Sequence, residues 1–303
     1  DSLIELLLAT QLRGKSAAGM AYMNAKKEVM IRKQPGPAED LVKGMTNDMW
    51  AEVARSPRAL FHARAMTKGT EKDNVNNHPV SAYGWVVVHN GHISNDDELF
   101  EYYKANRYAA VDTAAIPLVL SQGKNFDDSL RHLSILGGQA SVAAWSLENP
   151  EVIALARLGT NDVYVFLDPS RDIVYWCSTP VGGRAIPGYT LGNMAFFTVA
   201  KLNENRVMIF QPNGEKARLL KIDRQPFLPP KVWKDTRSSG ATSGVGPIVT
   251  LPRMAMQTTP TGTKPYTGTT HGKNPKDFEW AQPNPEWASK PAIDITGISS
   301  EFF

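Results

Sequence analysis

Along the first 222 residues strand-like and helix-like apolar runs alternate, and near Arg224 that alternation stops. Such a chain must bury sheet faces and helix stripes against one another, which calls for a mixed helix-and-sheet domain. Leu3, Leu6, Leu7 and Leu12 fall largely on one face of a helix over 1–12. Residues 18–24 and 28–33 read as a strand hairpin, followed by a helical stretch over 38–56. Short apolar runs at 59–63 and 85–89 suit buried strands, and helices fit 96–106, 113–122 and 127–136. A strand-rich half follows, at 141–145, 152–156, 163–167, 173–176, 196–200, 206–210 and 218–222. Two strand groups separated by helical segments predict an α+β domain with stacked sheets and helices outside.

Beyond Arg224 lie eleven of the twenty-one prolines, together with Ser-, Thr- and Gly-rich stretches. Such a segment cannot bury enough apolar surface to offset its ordering entropy, so it is expected to be extended and irregular. The predicted organisation is a domain over 1–222 and a tail over 223–303. In the tail, Glu279-Trp280-Ala281 is echoed by Glu286-Trp287-Ala288, and the chain ends in Phe302-Phe303. Trp280, Trp287 and Phe303 suit anchors in a partner's pockets and equally suit packing against the chain's own domain.

Lys and Arg number 33 against 30 Asp and Glu, spread along the chain for a net charge of +3. That distribution argues against nucleic acid, which needs clustered basic residues on one face. The apolar run at 6–9 is far too short to span a bilayer. The one cysteine, Cys177, permits no internal disulfide and no cysteine-built zinc site, which fits a cytoplasmic protein or an assembly built there.

Five segments carry more specific information, and they occur in a fixed order. They are Arg13-Gly14-Lys15-Ser16-Ala17-Ala18-Gly19, then His62-Ala63-Arg64-Ala65-Met66-Thr67-Lys68-Gly69 followed by Asn77-His78-Pro79. Next come His89-Asn90-Gly91-His92-Ile93-Ser94-Asn95 with Leu99, then Val111-Asp112-Thr113, and finally Ala156-Arg157-Leu158-Gly159. The set resembles the glutaminase domain of class II glutamine amidotransferases, the Ntn-hydrolase family of glucosamine-6-phosphate synthase and amidophosphoribosyltransferase. The resemblance covers about 1–222 and implies a four-layer αββα sandwich without a cofactor or a metal.

It also implies roles for individual residues. Arg64 matches the arginine that binds the α-carboxylate of free glutamine, a task suited to a planar guanidinium. Asp112 matches the acceptor of the α-ammonium, and Thr67 a further substrate contact. Asn90 and Gly91 match the oxyanion hole, where one donor is typically worth ~3 kcal/mol of transition-state stabilisation. Arg13, Gly14 and His89 match positions close to the site. The residues alone allow plainer readings: Arg64 as a surface or ion-paired arginine, Asn90-Gly91 as a type I′ turn, and Asp112 as a helix cap. Ser94, Asn95 or Asp96 suits the cap of the next helix. His62, His78, His89 and His92 are expected to be structural and not to hold a metal.

Three positions depart from the family pattern: Ala65 replaces an aromatic, Lys68 a histidine, and Ser16 lies in a poorly matched stretch. The family's nucleophile is an N-terminal cysteine whose own amine acts as base. Asp1 aligns well after it, so the expected enzyme needs an upstream segment. Cys177, on a strand end, reads instead as a small buried hydrophobe. The leading expectation is a glutaminase subunit releasing ammonia from glutamine for a separate acceptor enzyme. The rival is an inactive glutaminase fold serving as a structural or binding subunit, and homo-oligomer formation is left open.

Overall fold

The computed structural model describes residues 2–168, 173–179, 185–186, 198–210 and 217–227. The tail anchors Trp280, Trp287 and Phe303, and the start of the strand expected at 196, lie outside the described residues.

Three antiparallel sheets build the fold. The first joins β1 (Ala17–Met23), β2 (Val29–Pro35) and β3 (Ala59–Arg64) in the order β2-β1-β3. The largest has six strands: β4 (Val80–Ala82), β5 (Trp85–His92), β6 (Gln139–Ser146), β7 (Ile153–Leu158), β11 (Arg206–Phe210) and β12 (Arg218–Lys221). Their order is β12-β11-β7-β6-β5-β4. A third sheet pairs β8 (Tyr164–Asp168) with β9 (Ile173–Cys177) and β10 (Thr198–Lys201).

The six-stranded sheet is apolar on both faces because both are covered. Val87, Val142, Ala144, Ala154, Ala156, Val207 and Ile209 pack against helices α4 (Asp96–Tyr102), α5 (Ala115–Leu120) and α6 (Phe126–His132). The alternate residues Val86, Val88, Ala143, Trp145, Leu155 and Met208 meet Ala21, Met23 and Leu60 of the first sheet and Val165 of the third. On its outer face the first sheet presents Ala18, Met20 and Tyr22 to α1 (Ser2–Thr10), α2 (Ala38–Lys43) and α3 (Asn47–Arg55). Helices, sheet, sheet and helices therefore follow one another, the four-layer αββα sandwich of Ntn hydrolases. All seven β1 residues are buried, as expected for a strand covered on both sides.

Local chemistry sets the element ends. The single helix expected over 38–56 is two helices: α2 ends at Gly44, and α3 restarts where Thr46 Oγ1 accepts the Met49 N–H at 3.3 Å. Asn125 caps α6 by accepting the Asp128 N–H at 2.9 Å. The helices expected at 113–122 and 127–136 each include a short 3-10 segment, Asp112–Ala114 before α5 and Leu133–Ile135 after α6. No helix among the described residues is long and apolar enough to cross a membrane.

Candidate active site

Three elements converge at one end of the sandwich: the end of β3 with Arg64, the second half of β5 with His89, Asn90 and Gly91, and the 3-10 turn carrying Asp112. Arg64 is the last residue of β3 and is only 2% exposed. Its Nη1 donates to Asn77 Oδ1 at 3.0 Å, and its Nη2 donates to the carbonyls of Lys68 at 2.5 Å and Gly69 at 2.9 Å. These bonds take up three of the five N–H donors of a guanidinium. Burial lowers its pKa from the ordinary arginine range, opposed by the charges of Asp112 and Glu71. Arg64 and Asp112 thus sit in each other's field.

Asp112 is 1% exposed. Its Oδ2 accepts the backbone N–H of Ile93 at 2.8 Å and its Oδ1 that of Thr113 at 2.9 Å. As the first residue of the 3-10 turn, it follows the cap residue Val111. Two ring nitrogens approach Oδ2: His92 Nδ1 at 3.4 Å and His89 Nε2 at 4.0 Å.

Asn90 and Gly91 do not form a type I′ turn. Both lie within β5, paired with Ser141 and Ala140 of β6. Gly91 has φ +139, and a Cβ there would stand 2.0 Å from the carbonyl oxygen of Gln139 and 2.5 Å from Asn161 Nδ2. Only glycine fits so close a crossing of chains. Asn161 Nδ2 donates to the Asn90 carbonyl at 3.0 Å. In a trans peptide the C=O and the following N–H point in opposite directions, so this bond turns the Gly91 N–H away from Asn161.

Beneath these residues lies a cluster of uncharged histidines. His62 Nε2 donates to the His89 carbonyl at 3.0 Å, next to Asn90, which fixes its tautomer. His78 Nε2 and His89 Nδ1 both lie 2.7 Å from Thr113 Oγ1, whose hydroxyl can donate to one and accept from the other. The rings of His62 and His78 are 4.2 Å apart. Burial, reinforced by neighbouring positive groups, pushes His62 down to about 3 and His78 well below the ordinary histidine range. Burial also lowers His89, against the pull of Asp112. Neutral rings can pack this closely, whereas charged ones would repel. Among the described residues no group of three or more His, Cys, Asp or Glu side chains is arranged to hold a metal ion.

The loop between β3 and β4 is tied down by residues that carry no periodic signal. Asn76 Oδ1 accepts the N–H groups of Ala110 at 2.7 Å and Val111 at 3.2 Å, just ahead of Asp112. Asn77 Nδ2 donates to the Glu71 carbonyl at 2.7 Å. Lys33 Nζ donates to the carbonyls of Asn77 at 2.8 Å and Pro79 at 2.9 Å, and burial lowers it to about 8. Lys68 reaches Asp96 at 2.7 Å and Asp97 at 2.9 Å, and Arg107 pairs with the same two carboxylates. Burial opposes the charge on Lys68, but its bonds to Asp96 and Asp97 raise its pKa overall.

The remaining sequence-derived residues occupy the rim. Thr67 is exposed on the loop between Arg64 and Lys68. Gly14 lies under the same loop, where a Cβ would stand 2.2 Å from the Ala65 nitrogen. Arg13 points elsewhere, donating to Ser178 Oγ at 3.1 Å and to the Ser178 carbonyl at 2.9 Å. Asn95 caps no backbone N–H of α4 and instead links the Ile135 carbonyl to the Gly137 N–H. Cys177, expected to be buried, is half-buried at the end of β9, with Sγ donating to the Thr179 carbonyl at 2.7 Å.

No family model matches the chain. It is 25% identical over 233 residues to 7-cyano-7-deazaguanine synthase of Saccharolobus solfataricus, covering 72% of this chain and 49% of that protein. It is 28% identical over 168 residues to the isomerizing glutamine--fructose-6-phosphate aminotransferase of Haemophilus influenzae, covering 53% of this chain and 27% of that enzyme. Among solved structures it superposes on the glutamine phosphoribosylpyrophosphate amidotransferase of B. subtilis with a TM-score of 0.58 and 16% identity. That match covers 73% of this chain and 46% of the other.

The chain is similar in sequence and in fold to class II glutamine amidotransferases. It spans at most about half the length of these relatives. Against the class II amidotransferase pattern, the three-element convergence places the matched Arg64, Asn90, Gly91 and Asp112 around one end of the sandwich. Asn77 belongs to the Asn77-His78-Pro79 motif but had no assigned role, whereas Asn76, Asn161 and Lys33 stood out in no motif; they act on backbone carbonyls and N–H groups, which leave no mark in an apolar pattern.

Proposed function

We propose that this chain is the glutamine-binding portion of a class II glutamine amidotransferase, releasing ammonia from glutamine for an acceptor enzyme in trans. The observation that carries the reading is the sealed pair of opposite charges, Arg64 and Asp112, beside the oxyanion pair Asn90 and Gly91. A buried guanidinium suits a carboxylate and a buried carboxylate suits an ammonium, which together recognise the amino-acid end of glutamine. The side-chain amide then meets Asn90 and the Gly91 N–H, which hold the negative oxygen formed when a thiolate attacks the amide carbon. Collapse of that intermediate expels ammonia, and water releases glutamate from the thioester.

The nucleophile has to come from outside Asp1–Phe303, because Cys177 sits on β9 in a bond to Thr179 and has no free α-amine. The full gene product is therefore expected to release ammonia from L-glutamine, and Arg64→Lys to raise KM. Absence of glutamine-dependent ammonia release from a folded full-length product would favour the structural-subunit reading, which draws on Arg64 already being satisfied by Asn77, Lys68 and Gly69.

A further inference from the structure

Arg64 and Asp112 are each set by a short stretch of backbone, and one group of charged side chains joins the two stretches. On one side, Arg64 Nη2 donates to the carbonyls of Lys68 at 2.5 Å and Gly69 at 2.9 Å. On the other, Arg107 Nη1 donates to the carbonyls of Ala109 at 3.2 Å, Ala110 at 3.3 Å and Val111 at 3.4 Å, which lead directly into Asp112. Lys68 Nζ and Arg107 Nη2 then meet on the same two carboxylates. Lys68 lies 2.7 Å from Asp96 Oδ2 and 2.9 Å from Asp97 Oδ2, while Arg107 pairs with Asp96 Oδ2 and lies 2.7 Å from Asp97 Oδ1. Both aspartates open α4, which Leu99 and Phe100 anchor in the core, and Arg107 Cζ stands 4.6 Å from the centre of the Phe100 ring. The two stretches also touch through uncharged groups. A Cβ on Gly69 would stand 3.0 Å from the Val111 nitrogen, and Asn76 donates to the Thr70 carbonyl at 3.0 Å while accepting from Ala110 and Val111.

We propose that Lys68 and Arg107 are positioning residues, whose shared ion pairs with Asp96 and Asp97 set the separation of Arg64 from Asp112 so that both ends of an α-amino acid are held at once. The inference rests on the reading of Arg64 and Asp112 as the holders of the α-carboxylate and the α-ammonium. Arg64 and Asp112 act on each other through their charges, while their hydrogen bonds go to other partners. Gripping two ends of one small molecule requires that such groups be held to within about 0.5 Å of the productive geometry. Each tie to α4 fixes one wall of that gap: Lys68 the Arg64 wall, Arg107 the Asp112 wall. Breaking either tie frees one wall from the other, and breaking the second adds little. Lys68 stands at a position where the chain departs from the class II pattern, so this coupling belongs to the chain's own charges.

The test is calorimetric titration of L-glutamine into the chain, Lys68→Met, Arg107→Met, the double variant and Lys68→Arg, with urea unfolding of each. The bonds of Asn76 remain in all of them, so folded variants are expected. Each single truncation should weaken L-glutamine about fivefold, the upper end for a partly exposed ion pair. The double variant should bind about as well as either single one, because both truncations cut the same coupling. Lys68→Arg keeps the charge and has N–H donors for both carboxylates, so it should bind within about twofold of the parent. Effects that multiply in the double variant, as independent support of two loops would give, overturn the proposal. Lys68→Met binding like the parent, or Lys68→Arg binding as weakly as Lys68→Met, also overturns it, and in each case the glutamine site stands. Should Arg107→Met not fold, the two Lys68 variants decide. Failure of the folded parent to bind L-glutamine overturns the reading of Arg64 and Asp112, and the proposal with it.

Discussion

Asn161 Nδ2 donates to the backbone carbonyl of Asn90 at 3.0 Å, and through that bond orients the peptide whose other end is the Gly91 N–H. The peptide between Asn90 and Gly91, the proposed oxyanion pair, is thus set by a residue on the loop after β7, seventy-one positions away from Asn90. Asn161→Ala should therefore lower the glutaminase kcat of the full gene product about fivefold with KM little changed, the scale of one neutral hydrogen bond. An equal rise in KM with unchanged kcat would show that Asn161 serves substrate binding instead.

Gly91→Ala should fail more severely. The added Cβ would meet the Gln139 carbonyl at 2.0 Å with φ at +139, so the β5–β6 ladder must open locally. Loss of at least 2 kcal/mol in urea unfolding is expected, on the order of one strained non-glycine residue. A variant as stable as the parent would show that the backbone can take another path here.

The histidine cluster predicts acid sensitivity. His62, His78 and His89 are held neutral in the fold, His62 down to about 3, whereas histidines of an unfolded chain titrate near 6.5. Below about 6.5 the unfolded chain binds more protons, so stability falls as pH falls, by roughly 1.4 kcal/mol per pH unit for each such histidine. His62→Gln can still donate to the His89 carbonyl, and its unfolding free energy should depend on pH between 5 and 6 by about one proton less. Equal slopes would mean that His62 is already charged in the folded chain.

Lys33 predicts the same direction of change on the alkaline side. Its ammonium is lowered to about 8 by burial, against an unfolded value near 10.5. Between those values the unfolded chain binds the extra proton, so this group adds stability as pH rises, by at most about 3 kcal/mol. Relative to Lys33→Met, the parent should gain stability between pH 8 and 10. A constant difference would show that the lysine titrates alike in both states.

Much of this architecture is legible in the sequence, because apolar periodicity reports which faces are covered. The strands at 17–23, 59–64, 139–146 and 206–210 could be placed that way. The break of the 38–56 helix could not, since it depends on Gly44 and on Thr46 taking up the Met49 N–H. Asn90-Gly91 carries the signature of a hairpin turn, but pairing with Ser141 and Ala140 overrides it. The short strand Val80–Ala82 is too brief to show a period. Within the candidate site, Arg64, Asn90, Gly91, Asp112 and Asn77 lie in the ordered motifs, whereas Asn76 and Asn161 act on backbone groups brought close by the fold. Their partners are defined only once the chain has folded.

The central claim is that Arg64 and Asp112 hold the two charged ends of glutamine, and titration calorimetry of L-glutamine into the chain, Arg64→Lys and Asp112→Asn tests it most directly. Both substitutions roughly keep size, although Asp112→Asn can accept from only one of the Ile93 and Thr113 N–H groups, so circular dichroism checks the fold. Saturable binding by the parent is expected, weakened roughly ten- to a hundredfold in each variant, the scale of one charge-assisted hydrogen bond. Binding that is absent in the folded parent, or equally strong in both variants, would contradict it.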